Sequence, residues 1–193
     1  QIVIALIVTL TFAVAGFVVG GVTLSGAIAG FAVAFALYYC MGPGAFAVLL
    51  AVFGITWIAT RFGKAHREKL GIFETRRGRD AGQVLANLGI TAALAVAGMF
   101  VFQQLAWVAA VAALCEAAAD TTSSECGEAW SDRAYLIVGF RRVPAGKDGA
   151  ISLVGTIVAI AAAALVASVA ALEGVLTLRL AVVAALAGFL GTL

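Results

Sequence analysis

WVAAVAALCEAAADTTSSECGEAW, residues 107–130, begins as a segment fit for hydrocarbon and ends as a cluster of oxygen ligands. Asp120, Glu125, Glu128 and, just beyond, Asp132 fall within thirteen positions of a chain that has only 10 acidic residues. The apolar half could be a buried core helix or a membrane span, and the rest of the chain decides between them. Hydrophobic residues make up 64% of the 193 and charged residues 11%. Soluble domains run at roughly 45–50% and about 25%. The stretch therefore belongs to a polytopic membrane protein, and its polar half lies where a span leaves the bilayer.

Outward from this stretch, further apolar segments run along the chain. A span needs about 20 apolar residues. Such segments occur at 2–20, 24–41, 44–62, 84–102, 104–119, 151–172 and 177–193. Lipid satisfies no open strand edge, so each is expected to be a helix. The expected fold is all-α, a single polytopic transmembrane helix bundle of about seven spans covering 1–193. Gly16/Gly20 and Gly26/Gly30 are GxxxG pairs that would let the first two helices approach closely. Cys40 and Cys115 read as small packing residues, and neither a CxxC motif nor zinc-ligand spacing occurs. The start at Gln1 has no basic n-region and reads as a processed or trimmed end.

Charge gives the bundle a sidedness. Loops 61–83 and 120–150 carry eleven of the 12 basic residues, Arg179 being the exception. Two spans separate these loops, so both lie on one side, which the excess of Lys and Arg makes the cytoplasmic one. Net charge is only +2, and no nucleic-acid partner is expected.

Three constellations lie on that side. The first is the carboxylate stretch, in which Asp120 and Glu125 flank Thr121, Thr122, Ser123 and Ser124. Carboxylates and hydroxyls are hard ligands suited to Mg²⁺. Glu116 is one turn before Asp120, on the same helix face if the helix continues. Glu128 and Asp132 read instead as residues of a solvated loop. The second is RRVPAGKDGAISLVGT, 141–156. Arg141, Arg142 and Lys147 supply positive charge, Pro144 and Gly146 a turn, and Asp148 and Gly149 open the apolar run. Asp148 reads as the N-cap of the sixth helix, with Ser152 and Thr156 one turn apart beyond it. Free N–H groups, glycines and flanking cations form a phosphate seat. The spacing is not that of a Walker A loop. The third is loop 61–83, whose charges alternate in sign as in a surface helix and whose Arg76, Arg77 and Arg79 beside Gly78 could grip phosphates or anionic lipid. Asn87, one turn into the next span, would bond a neighbouring helix. Metal ligands and phosphate seats on one membrane face are what phosphoryl or nucleotidyl transfer requires. His66 is the only histidine, and no Ser–His or Cys–His nucleophile pair is recognised.

GKAHREKLG (63–71), QVLANLG (83–89), ADTTSSECGEA (119–129) and VPAGKDGAISLVGT (143–156) follow one another as in a single membrane family. The chain resembles the phytyl-phosphate kinase family, which includes transmembrane protein 19. That resemblance implies a polytopic enzyme that converts an isoprenyl (prenyl or phytyl) monophosphate to the diphosphate with a nucleoside triphosphate such as CTP, and with Mg²⁺. By position, Asp120, Ser124 and Glu125 fall on its acidic motif. Asp148, Gly149, Ser152, Gly155 and Thr156 fall on its glycine-rich motif, and Lys64, Gln83 and Asn87 on its first loop. Asp120, Glu125 and Asp148 are then the expected metal-holding and catalytic acids. Lys64, Arg76, Arg77, Asn87, Ser124, Arg141, Arg142, Lys147, Gly149, Ser152 and Thr156 would bind substrate and nucleotide. Cys126 stands where the family has an aliphatic residue and Leu88 where it has glycine. The family also continues past GFLGTL, 188–193, into a further aspartate motif. The competing reading is a transporter or carrier of a phosphorylated or prenylated molecule. It would place ionisable groups near the membrane midplane, where only Glu116 is expected. Membrane lipid is the surrounding partner, and the sequence leaves homo-oligomerisation open.

Overall fold

The computed structural model describes residues 2–69, 78–131, 133–144, 147 and 149–193, with 64–69 described by backbone alone. Seven helices occur among them, in register with the seven apolar segments. They are α1 (Ile2–Val18), α2 (Leu24–Met41), α3 (Pro43–Lys69), α4 (Ala81–Ala97), α5 (Gln103–Trp130), α6 (Leu153–Leu172) and α7 (Leu178–Gly191). Four stretches are long and apolar enough to cross a membrane, namely Leu24–Met41, Pro43–Gly63, Gln103–Trp130 and Leu153–Leu172. α1, α4 and α7 are shorter apolar helices. Ile7, Leu10, Val14, Ile157, Leu165, Val183 and Leu186 stand exposed on the outer helix faces. An apolar exterior of this kind is what lipid solvates.

α5 is the axis, touching α3, α4, α6 and α7. Its inner positions are small, with Ala106, Ala110, Ala117, Ala118 and Ala119 all buried, so neighbouring backbones come close. The tightest crossing is with α7, where a methyl group on Gly188 would lie 2.5 Å from Cys115 Cβ and 2.7 Å from the Ala112 carbonyl oxygen. α6 crosses higher up, where a Cβ on Gly127 would lie 3.5 Å from Gly155 Cα. The GxxxG pairs do otherwise. Gly20 (φ 73°) turns the chain after α1, and nothing approaches the position where Gly30 would carry a Cβ. Gly26 instead leaves room for a loop carbonyl, described below. Glycine count alone did not separate packing glycines from turn glycines.

Two helices overrun their apolar segments. α3 continues to Lys69, without a break before the charged residues. α5 continues to Trp130, so the stretch expected to begin loop 120–150 is helical. Two hydroxyls of this stretch are turned back onto the helix. Thr122 Oγ1 donates to the Ala118 carbonyl at 2.8 Å and Ser123 Oγ to that of Asp120 at 3.0 Å. With 28 residues, α5 is about 42 Å long, more than the about 30 Å of a hydrocarbon core.

Between α5 and α6 lies a small antiparallel sheet, absent from the all-helical expectation. β1 (Ala134–Leu136) is the centre strand, with β2 (Arg142–Val143) and β3 (Ala150–Ile151) on its two sides. Tyr135 pairs with both Arg142 and Ile151. The sheet displaces the expected cap. Ser152, not Asp148, is the N-cap of α6, its Oγ accepting from Gly155 N at 3.1 Å. A cap must sit next to the first helical residue, and β3 occupies the positions between.

Candidate functional site

The chain runs up and down, so three connections gather at each end of the bundle. At one end, residues 78–80 join the Gly20–Thr23 turn, Arg79 reaches Thr121 of α5, and a cavity of about 400 Å³ opens between the C-terminal turns of α5, the sheet and the start of α6. One wall is α5, contributing Asp120, Ser123, Ser124, Gly127 and Glu128. Asp120, Ser124 and Glu128 are spaced i, i+4, i+8 and form an exposed stripe, because α5 stays helical through them. Facing this stripe are Lys147 and Gly149 before β3, then Ser152, Gly155 and Thr156 at the start of α6. The acidic motif and the glycine-rich motif thus share one pocket. Thr156 Oγ1 donates to the Ser152 carbonyl at 2.9 Å, which ties both hydroxyl residues to the helix start. The remaining wall is apolar, from Ile137, Ile151, Ala159 and Phe189.

The other expected residues are distributed as follows. Glu125 is on α5 but does not line the cavity; five residues from Asp120, it points about 140° away around the helix. Asn87 is half-buried on α4, and Arg141 and Arg142 are exposed on the sheet, none of them lining the cavity. Arg76, Arg77, Asp148, Gly146 and Asp132 lie outside the described residues, as does the Lys64 side chain. Among the described residues no cluster of three His, Cys, Asp or Glu forms a metal-holding group. The cavity donors are carboxylate and hydroxyl oxygens, with no thiol or imidazole lining it. That donor set fits Mg²⁺ rather than zinc.

Two residues take places other than the expected solvated loop and phosphate or lipid grip. Glu128 faces the cavity from the helix, where a solvated loop was expected. The signal was its i+8 spacing from Asp120, masked by the intervening Thr, Ser and Gly. The other is Arg79, whose Nη2 lies 3.5 Å from Thr121 Oγ1. Burial lowers the pKa of its guanidinium, while the negative charges of Glu125 and Asp120 oppose that shift.

Residues 7–193 match the family described as integral membrane protein DUF92. The chain is 33% identical over 185 residues to Protein VTE6, chloroplastic, of Arabidopsis thaliana, covering 91% of this chain and 54% of that protein. It is 29% identical over 160 residues to an uncharacterized membrane protein, sll0875, of Synechocystis sp., covering 81% of this chain and 62% of the other. An uncharacterized membrane protein of Methanocaldococcus jannaschii, MJ0933, is 32% identical over 130 residues, 67% of this chain and 53% of its own. The chain therefore spans somewhat over half the length of these relatives. No solved structure matches it.

Proposed function

Because this chain belongs to the DUF92 family of integral membrane proteins, we propose that its polar cavity phosphorylates an isoprenyl (phytyl-type) monophosphate to the diphosphate at the expense of a nucleoside triphosphate such as CTP. The observation that carries this reading is the shared cavity, with an acidic stripe on α5 opposite Lys147 and the α6 N-terminus and an apolar wall beside both. A nucleotide phosphate would sit on the free N–H groups at the start of α6, with Lys147 balancing its charge. The prenyl tail would lie along Phe189, Ala159 and Ile137, leaving only its phosphate in the polar part. A monophosphate oxygen then attacks the γ-phosphorus, the β–γ P–O bond breaks, and the nucleoside diphosphate leaves. Asp120, with Ser124 and Glu128, would hold Mg²⁺, with Asp148 as the further acid proposed for it; Glu125, expected there from the sequence, lies off the cavity. When bound, the metal neutralises charge on the transferring phosphates. Positioning and charge balance are most of what such a transfer demands of a protein. The wall of mixed polarity supports an amphiphilic substrate over a wholly soluble one.

Purified protein incubated with CTP, Mg²⁺ and a panel of prenyl monophosphates tests the reading, with diphosphate product expected. Movement of an intact prenyl phosphate across sealed vesicles, with no diphosphate formed, would replace the kinase with a carrier.

A further inference from the structure

The segment after the first basic loop is held in a way that nothing in the phosphate chemistry requires. Arg79 N–H donates to the Gly21 carbonyl at 3.1 Å, and its own carbonyl accepts from Thr23 N at 3.0 Å. A short parallel bridge with Val22 results. Gly78 lies so close that a Cβ there would come within 2.8 Å of the Val22 backbone. A Cβ on Gly26 would overlap the Arg79 carbonyl oxygen, so this glycine of α2 is the seat of the loop. On the far side, Asp80 caps α4 in a reciprocal box with Gln83, and Ala81 N donates to Ser25 Oγ at 3.4 Å. Backbone contacts on both flanks leave Arg79 little freedom. Its side chain then reaches α5, with Nη2 at Thr121 Oγ1. Thr121 and Glu125 are spaced i, i+4, so they share the face of α5 that meets the arginine, next to the face carrying Asp120, Ser124 and Glu128.

We propose that Arg79 is a positioning residue of the candidate site, a guanidinium locked by the α1–α2 turn that holds the Thr121/Glu125 face of α5 and thereby sets how the acidic stripe meets the cavity. A guanidinium suits this role because its planar fork fixes direction as well as charge. It is half-buried and within electrostatic reach of Glu125 and Asp120. The α1–α2 turn, at the other end of the sequence from the glycine-rich motif, becomes part of the site through this one side chain. The positioning role stands on the packing; its catalytic consequence rests on the kinase reading.

SDS-induced unfolding of the full chain in mixed micelles tests the packing claim, through Arg79→Met, Glu125→Gln and the double variant. The double variant should be less destabilised than the sum of the single losses, by a factor of about five or more in the unfolding constant. Arg79→Lys should retain most of that coupling. Additive losses, or Lys and Met behaving alike, would overturn the proposal. If Arg79→Met fails to fold, the same cycle run from Arg79→Gln, which also removes the charge, decides it, with additivity again the fatal result. Turnover supplies the second arm. Arg79→Met should raise the nucleotide KM about ten-fold or more, and Arg79→Lys should recover most of it. An arginine that only supports the fold would change stability and leave KM unmoved. Wild-type protein without turnover would sink the kinase reading, while the unfolding cycle still decides the role of Arg79.

Discussion

At the residue scale, Asp120 is the acid that both candidate motifs meet. It is exposed at the cavity wall, one turn before Ser124 and opposite Ser152 and Lys147. Replacing its charge while keeping its shape removes electrostatic stabilisation and little packing. Asp120→Asn should therefore lower nucleotide-dependent turnover about a hundred-fold or more and leave the unfolding midpoint nearly unchanged. A fully active variant would reduce Asp120 to a surface residue. Ser152 does the opposite kind of work. It caps α6 through Gly155 N, so Ser152→Ala should cost about 1 kcal/mol, seen in the unfolding free energy. Stability unchanged within error would show that the cap is dispensable. Asp120 could be picked out from the sequence because an acid at the end of an apolar run has few structural uses. Ser152 could be placed in the site but not recognised as the cap, because β3 is made by pairing across sixteen residues with Tyr135.

At the element scale, the continuity of α5 is what places three polar residues on one stripe. Helical backbone through Trp130 predicts that amides 121–130 exchange slowly with solvent deuterium; fast exchange across them would return the stretch to a loop and dissolve the stripe. The crossing of α5 with α7 makes a separate demand. At Gly188 a side chain would meet Cys115 and the backbone at Ala112 and Glu116. Gly188→Val should accordingly destabilise by about 1–3 kcal/mol, measured by unfolding in mixed micelles. It should also weaken activity, because α7 brings Phe189 to the cavity. Wild-type stability in that variant would mean that the helices can part without cost. The helices themselves were legible from hydrophobic run length. Their overruns were not, since run length records where apolarity stops and not where backbone hydrogen bonding stops.

For the whole molecule, alternation of helix direction gathers the α1–α2 turn, the end of the first basic loop and the sheet at one end, while the α2–α3, α4–α5 and α6–α7 connections lie at the other. Cysteines introduced at Arg79-proximal Asp80 and at Arg142 should react with an impermeant reagent from the same side of sealed vesicles, the cytoplasmic side by the excess of basic residues. Labelling from opposite sides would break the up-and-down order. What the sequence by itself determined is the class of molecule and the order of its helices. These follow from transfer free energies summed along contiguous stretches, which no distant residue can reverse. Tertiary structure alone decided which of the charged residues meet. Asp120 and Thr156 share a cavity, Arg79 meets α5 at Thr121, and Gly26 serves a loop carbonyl instead of a neighbouring helix. Those outcomes depend on how far α5 continues, on a sheet made of only seven residues, and on backbone contacts between segments more than fifty residues apart. Each is a matter of direction around a helix or of approach between backbones, and neither is written in composition or spacing.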